Sequence, residues 1–236
     1  MTAVASMILA LLTASFQACS NDPYDSGDGS LSYMRADFVE AITNSSAKVV
    51  SAQTDDGKLL NLSPMLTASW ITAKDSTYRA LLYYNDKGDN VANENNTEIG
   101  KTVKPIAIAD VLVPKITNVS KIKNYPTDPV TLDASWLSKS KKYINLGIYI
   151  KTGTKDGIVG TQSIGIAYKG TRNLDDGTTV HMLTLIHGQN NVPEYYSSQV
   201  YVSIPLYRLP FTVGEGDKFE LTVNTYKGLE TKIFTI

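Results

Sequence analysis

The sequence predicts an all-β protein, and three observations support this prediction. Apolar and β-branched residues recur in short runs that alternate between two faces, as half-buried strands do. Glycines and Asp-Gly pairs separate these runs at intervals that suit tight turns. The strand-rich segments of the N-terminal half show no helical period. A chain of 236 residues, 42% of them hydrophobic, is long enough to bury one or two β cores.

The N-terminus reads as a lipoprotein signal peptide, residues 1–18. Residues 3–14, AVASMILALLTA, form an apolar run that is too short to cross a hydrocarbon core of ~30 Å but suits a signal peptide. The stretch SFQAC that ends at Cys19 resembles a bacterial lipoprotein box, although its Phe-Gln departs from the commoner residues. Since Cys19 is the only cysteine, we expect it to carry a lipid. The alternative is an ordinary signal peptide followed by an unmodified thiol.

Residues 19–32 are predicted to form an acidic flexible tether. Three aspartates, two glycines and a proline lie between residues 21 and 30, a composition typical of a solvated spacer. The tether lacks the downstream glutamate of a calcium-binding loop, so no metal site is predicted there. A net charge of −1 gives no positive field, so no nucleic-acid partner is predicted. The protein is expected to contact the membrane through the lipid on Cys19.

Residues 33–115 are predicted to form a small β domain. The runs YMRADFVEAI, AKVVSAQ, KLLNL, TYRALLYYN and TVKPIAIADVLV read as about five strands. Asp55, Asp56 and Gly57 lie between two of these runs, where Asp-Gly favours a tight hairpin turn. Five strands suit a closed barrel of the OB type, although an antiparallel sandwich fits the pattern as well.

A second β domain is predicted over residues 129–236, after a linker at residues 116–128. The segment around the linker is rich in proline and lysine and shows little apolar periodicity. Seven short strands follow it, punctuated by glycines as in a sandwich with immunoglobulin-like connections. Pro205 places its strand at an edge or a bulge, because proline cannot donate to a ladder. The two tryptophans, Trp70 and Trp136, are interpreted as core residues.

The body of the chain resembles the NigD-like lipoproteins. The resemblance rests on strand segments rather than on a catalytic signature, namely Asp128–Thr131, Trp136–Leu137, Tyr143–Leu146, His181–Leu185 and Tyr201–Leu206. It implies an OB domain followed by an immunoglobulin-like domain, in a Gram-negative bacterium. It implies no functional residues. Together with the lipid anchor, it predicts an outer-membrane lipoprotein on the cell surface or the periplasmic face.

Catalytic motifs are missing from the sequence, so no enzyme and no cofactor are predicted. His181 and His187 lie six residues apart on one predicted strand, ~20 Å, which is too far for a shared metal ion. Each is interpreted as a satisfied strand histidine. The acidic pairs Asp55-Asp56 and Asp175-Asp176 precede glycines in predicted turns, which already explains them. A glycoside-active enzyme remains an alternative because sequence does not report the distance between carboxylates.

The predicted function is a non-catalytic binding or scaffold module of the cell envelope. The chain has 14 tyrosines and five phenylalanines, a bias toward rings that suit wet interfaces. Tyr195 and Tyr196 fall in a polar loop, GQNNVPEYYSS, between two predicted strands, and are the candidate ligand-binding residues. They could meet a protein or a glycan partner in the envelope. The alternative is that one tyrosine packs down as a loop anchor.

Overall fold

The computed structural model describes residues 34–86, 90–92, 98–121 and 124–236. Cys19, the predicted signal peptide and the predicted tether lie outside the described residues. Residues Arg35–Ile236 form one compact unit. Among the described residues, no helix has the length and the apolar character needed to cross a bilayer.

The N-terminal half of the unit is a closed five-stranded barrel, as the sequence predicted. Its strands are β1 (Met34–Thr43), β2 (Val49–Thr54), β3 (Leu59–Leu66), β4 (Thr77–Asn85) and β6 (Glu98–Asp110), with a short β5 (Asn90–Ala92) added beside β6. The order β3-β2-β1-β4-β6 closes through a parallel pairing of β3 with β6. This order and closure make the barrel OB-like.

Every second side chain of the strands points inward, and these side chains fill the barrel. In β4, Ala80, Leu82 and Tyr84 face the barrel core, which also contains Val39 of β1 and Leu60 of β3. The hairpin between β2 and β3 turns at the predicted Asp-Gly pair. Gly57 adopts φ +86°, a left-handed conformation that costs glycine nothing.

The C-terminal half is a two-sheet β-sandwich, which confirms the predicted all-β architecture. Its strands are β7 (Ile116–Asn118), β8 (Thr131–Leu137), β9 (Tyr143–Thr152), β10 (Thr154–Lys155), β11 (Ile158–Val159), β12 (Ser163–Asn173), β13 (Thr179–Gly188), β14 (Tyr196–Pro205), β15 (Lys218–Thr225) and β16 (Gly228–Thr235). One sheet has the order β16-β15-β13-β12-β7 and the other β14-β9-β8. Strands β10 and β11 form a separate small hairpin. Short 3-10 turns occupy Val119–Lys121 and Leu206–Arg208.

The sandwich core lies between the two sheets. Buried side chains from both inner faces interdigitate there, among them Ile144, Leu146, Ile166, Leu183, Phe219 and Leu221. Pro205 ends β14, which is an edge strand of its sheet, as the missing N–H of proline requires.

The structure places part of the predicted linker inside the sandwich. Within residues 116–128, Ile116–Asn118 form β7, which pairs in parallel with β12. Thr127 forms a bridge to His187 of β13. A strand of three residues is too short to show alternation, and the surrounding prolines and lysines hide it in the sequence. Ile116–Asn118 and Thr127 are therefore tied to the larger sheet.

The barrel packs on the outer face of the three-stranded sheet. Phe38 of β1 meets Trp136 of β8 and Tyr201 of β14 edge to face, with ring centroids 5.2 and 5.4 Å apart. Trp136 is thus a half-buried junction residue and not a core residue. Trp70 is also half-buried, against the margin of the barrel core, where its ring lies 5.7 Å from that of Tyr78.

Candidate functional site

The two predicted ligand-binding tyrosines are strongly exposed. Tyr195 is the last residue of the loop between β13 and β14, and Tyr196 is the first residue of β14. Tyr195 is 74% exposed and Tyr196 is 56% exposed. The backbone N–H of Tyr195 donates to the carbonyl of Thr152 at 3.0 Å, so the loop is fixed to the end of β9.

Partly buried hydrogen bonds hold the loop that carries these tyrosines. The backbone N–H of Gln189 donates to Asp128 Oδ2 at 2.7 Å. The side-chain amide of Gln189 donates to the carbonyls of Lys151 and Val192 at 2.9 and 2.8 Å. Val192 itself is buried. A loop with this many internal partners can present the tyrosines at little entropic cost on binding.

Buried His187 of β13 stabilises the same end of the sandwich through hydrogen bonds. It is 1% exposed, with Nδ1 at 3.0 Å from the carbonyl of Asp128 and Nε2 at 2.8 Å from Oε1 of Gln162. Gln162 in turn donates to the carbonyl of Lys151 at 2.8 Å. This histidine is therefore a structural brace that ties the loop segments containing Asp128 and Gln162 to β13.

His181 is also buried, but it serves the other end of β13. Its ring stacks on Phe211 and Phe219 at centroid distances of 4.4 and 4.9 Å. Its Nε2 lies 3.3 Å from Oδ2 of Asp217. Both histidines are thus strand residues with partners, in agreement with their sequence interpretation.

A third tyrosine, Tyr226, lies at the same end as the predicted pair. It is 46% exposed and follows β15 directly. Burial raises the pKa of Tyr226, and the neighbouring carboxylates of Glu194 and Asp128 raise it further. Tyr226 is not among the residues that the sequence predicts for a site, although the YKG turn that joins the last two strands places it at this end.

Exposed Ile158 lies in the β10–β11 hairpin that follows Gly153, and Gly153 packs under Tyr195. We call Ile158, Tyr195, Tyr196 and Tyr226 the distal surface. Strand β9 begins at Tyr143, beside the barrel, and ends at Thr152, beside the distal surface. These two residues are nine steps apart, which in a strand is ~30 Å.

The junction between barrel and sandwich is built around a buried arginine. Arg79 of β4 is 6% exposed, and its two terminal nitrogens each donate to one oxygen of Asp55 at 2.7 Å. Its Nε donates to the hydroxyl of Ser203 at 3.0 Å, and one terminal nitrogen also reaches Asn145 Oδ1 at 3.2 Å. The guanidinium carbon lies 4.1 Å from the ring centroid of Tyr143. Four of the five N–H groups of Arg79 and one face of its guanidinium are thereby directed at partners.

A glutamate extends this network toward solvent. Glu40 accepts hydrogen bonds from Lys142 at 2.8 Å and from the hydroxyl of Tyr143 at 2.9 Å. Burial alone would raise the pKa of Glu40, but these two hydrogen bonds and the positive charge of Lys142 outweigh it and hold the pKa below its usual value. Burial, with contacts to Tyr207 and Glu40, raises the pKa of Tyr143.

A cleft of about 370 Å³ opens beside this network. Its barrel wall includes Thr77, Tyr78 and Asp110, and its sandwich wall includes Tyr207 and Arg208. The sequence does not predict this cleft, because its two walls are about a hundred residues or more apart in the chain.

The aspartates of the two predicted turns have structural partners. Asp55 is the ion-pair partner of Arg79, a role that its turn position did not reveal. Asp176 accepts a hydrogen bond from the backbone N–H of Thr178, which lowers its pKa, and so acts as a turn residue. In the part of the chain that the structure describes, no group of three or more His, Cys, Asp or Glu side chains could hold a metal ion.

An OB-like barrel fused to a β-sandwich, with exposed tyrosines at the end of the sandwich away from the barrel, defines a two-part all-β protein. The chain belongs to the NigD-like family. The model of the NigD-like C-terminal beta sandwich domain matches residues 113–236, more than half of the chain. This match confirms the predicted family, and it begins ahead of β7, in agreement with the place of that strand in the sandwich.

Solved structures of Bacteroidetes proteins share the fold. A toxin-related candidate protein from Parabacteroides distasonis is 19% identical, with a TM-score of 0.62 over 86% of this chain and 93% of that chain. A NigD-like immunity protein from Bacteroides caccae is 16% identical, with a TM-score of 0.57 over 85% and 92%. A lipoprotein candidate from Bacteroides fragilis is 11% identical, with a TM-score of 0.53 over 85% and 96%. Among curated proteins, none matches the chain.

Proposed function

We propose that this protein is a lipid-anchored module of the cell envelope that acts by binding a partner protein. The observation that carries the proposal is the distal surface. Three tyrosines and an isoleucine, between 46% and 74% exposed, share one end of a rigid sandwich. Exposed apolar and aromatic side chains that cluster on a surface mark interaction sites. Tyrosine contributes large contact area at low entropic cost, which is why it dominates many interfaces.

The proposed location is the outer membrane of a Gram-negative bacterium, with the lipid on Cys19 as the anchor. The apolar run that ends in Ala-Cys supports it. A fold neighbour from Bacteroides fragilis is itself a lipoprotein candidate, which agrees with an envelope role. An anchor at the N-terminus leaves the folded body outside the bilayer and able to meet other envelope components.

The character of the distal surface favours a protein over a glycan. Ile158 is 72% exposed and offers no hydrogen-bonding group to a sugar, whereas protein interfaces use such apolar side chains beside tyrosines. A glycan that stacks on Tyr195 and Tyr196 is the second candidate, because 74% and 56% exposure leaves both rings accessible.

The binding proposal is tested by cross-linking in living cells of the source bacterium. The tagged full-length protein is compared with a variant that carries Tyr195→Ala and Tyr196→Ala. Recovery of the cross-linked partner should fall at least tenfold, since an interface tyrosine contributes about 2 kcal/mol or more. Phenylalanine at both positions should retain most of the recovery. Ile106→Ala, at an apolar residue of the barrel that is 45% exposed, is the control and should have no effect.

Two results would contradict this function. If the double alanine variant recovers the same partners as the wild type, the distal surface is not the binding site. If that variant has a lower melting temperature by many degrees, the tyrosines are packing anchors. A tyrosine-dependent signal on a glycan array, without a tyrosine-dependent protein partner, would favour the glycan candidate.

The anchor is tested separately. Mass spectrometry of protein isolated from membranes should find an acylated N-terminal Cys19, and Cys19→Ser should release the protein into the soluble fraction. An unmodified Cys19 on the wild-type protein would exclude the lipid anchor.

A further inference from the structure

The cleft at the barrel-sandwich junction has the size and the fixed walls of a small-ligand site. Its volume of about 370 Å³ falls within the range of ~300–1,000 Å³ that is usual for such clefts. The Arg79 network holds the two walls together, because Arg79 of the barrel is bonded to Ser203 and Asn145 of the sandwich. Because both walls are already fixed, binding of a ligand would not carry the entropic cost of ordering them.

Several polar groups that line the cleft have hydrogen-bonding capacity to spare. Within the described part of the chain, the carboxylate of Asp110 makes no hydrogen bond or ion pair, and the side chain of Arg208 contacts only the ring of Tyr207, at 5.6 Å. The hydroxyl of Tyr207 shares a contact of 3.3 Å with that of Tyr143, which leaves it further capacity. The cleft therefore offers a strong acceptor, a strong donor and a hydroxyl within one small volume.

The charges of these groups limit the chemistry of the ligand. An anionic ligand would meet the carboxylate of Asp110 and that of Glu40, which also lines the cleft. A cationic ligand would meet Arg208 and Arg79, which both line the cleft. An apolar ligand would strip water from Asp110 and Arg208 without replacing the lost hydrogen bonds. An uncharged ligand that carries closely spaced donors and acceptors satisfies both groups at once.

A saccharide has this chemistry, since neighbouring hydroxyls both donate and accept while the C–H faces of the sugar ring are apolar. Tyr78 and Tyr207, one on each wall, supply the aromatic surface that such faces contact. We propose that the junction cleft binds a saccharide, with Asp110 accepting hydrogen bonds from its hydroxyls and Arg208 donating to its oxygens. Hydrogen bonds to charged groups are the stronger ones, so these two residues carry much of the affinity.

This site is independent of the partner surface proposed above. The distal surface lies at the far end of β9, ~30 Å from the junction. The lipid-anchored module would thus have two ligands, a protein at the distal surface and a saccharide at the junction.

The test uses the full-length protein on a printed array of mono- to tetrasaccharides from plant, host and bacterial glycans, followed by calorimetric titration with the glycan that gives the strongest signal. Asp110→Ala and Arg208→Ala should each weaken binding at least tenfold. Both residues are exposed, so the melting temperature should stay close to that of the wild type. Arg208→Lys should restore part of the affinity, and Tyr195→Ala is the control that should leave it unchanged.

Three outcomes overturn the proposal. The first is an array on which no saccharide binds above the level of an unrelated protein. The second is binding that neither Asp110→Ala nor Arg208→Ala weakens. The third is binding that is lost with Tyr195→Ala, which would place the saccharide at the distal surface. Partner recovery in the cross-linking experiment should be unaffected by Arg208→Ala, so failure of one proposal does not imply failure of the other.

Discussion

The Nε of Arg79 donates a hydrogen bond of 3.0 Å to the hydroxyl of Ser203, a residue 124 positions later in the chain. One belongs to the barrel and the other to the sandwich. A cation with 2% of its side chain exposed cannot be held in place without partners, because its removal from water costs several kcal/mol. The contact therefore joins the barrel to the sandwich through a buried side chain.

The first prediction concerns this arginine. Arg79→Met keeps much of the side-chain volume but leaves the carboxylate of Asp55 partly buried without its cation. We expect the free energy of unfolding, measured in urea, to fall by about 3–5 kcal/mol. Arg172→Met is the control, since Arg172 pairs with Glu220 at the surface and its loss should cost ~0–1 kcal/mol. A loss below about 1 kcal/mol for Arg79→Met would show that the buried pair contributes little.

The second prediction is that the unit from residue 35 to residue 236 unfolds in one step. The barrel core and the sandwich core are separate clusters, but they belong to one compact unit and share the buried network. Calorimetry should show a single transition whose calorimetric and van't Hoff enthalpies agree. Arg79→Met should broaden that transition or divide it. Two well-separated transitions in the wild-type protein would mean that the halves fold independently.

The third prediction is loss of stability in acid through Glu40. Because its pKa is lower in the folded protein than its ordinary value of 4.5, the folded state favours the carboxylate. The stabilisation is therefore complete above that value and is lost as the pH falls through the lowered pKa. Urea midpoints measured between neutral pH and about pH 3 should decrease in this window.

Glu40→Gln should flatten that decrease in part. Some of it should remain, because the hydrogen bond from Lys101 also lowers the pKa of Asp86. Exposed Glu215→Gln is the control and should keep the wild-type pH dependence. If Glu40→Gln has the same pH dependence as the wild type, the carboxylate does not contribute in this way.

The features that the sequence predicted correctly depend on neighbouring residues. The strand runs and the turn at Gly57 are local patterns, and the barrel and the sandwich follow from them. The exposure of Tyr195 and Tyr196 follows from the polar loop that precedes them. Each of these features can be read within about ten residues of sequence.

The features that the sequence did not predict depend on distant contacts. In β4, Arg79 alternates with core residues and so resembles an ordinary solvent-facing side chain. It is buried only because the sandwich covers that face of the barrel. Strand β7 forms only because β12 provides a partner. The junction cleft has the same origin, since residues of one half become its walls when the other half packs against them.

The last prediction tests how the distal surface is held. A Cβ atom added at Gly153 would lie 2.7 Å from Cδ2 of Tyr195 and 3.0 Å from the carbonyl oxygen of Pro193. The ring could turn away, but the backbone carbonyl can give way only if the loop moves. Gly153→Ala should therefore displace Tyr195 and weaken partner recovery in the cross-linking experiment. The cost in stability should be about 1 kcal/mol, since a surface loop can relax.

The measurement is an NMR spectrum of protein labelled on its tyrosine rings. Gly153→Ala should shift the ring resonances of Tyr195 more than those of any tyrosine in the barrel. Gly165→Ala is the matched control, because its added Cβ would have no neighbour closer than 3.7 Å and should leave the spectrum unchanged. Unaltered Tyr195 resonances in Gly153→Ala would mean that the ring is not seated against Gly153. Gly153→Ala adds only one methyl group beneath the loop. If it both shifts the ring resonances of Tyr195 and lowers partner recovery, binding depends on the position of that ring.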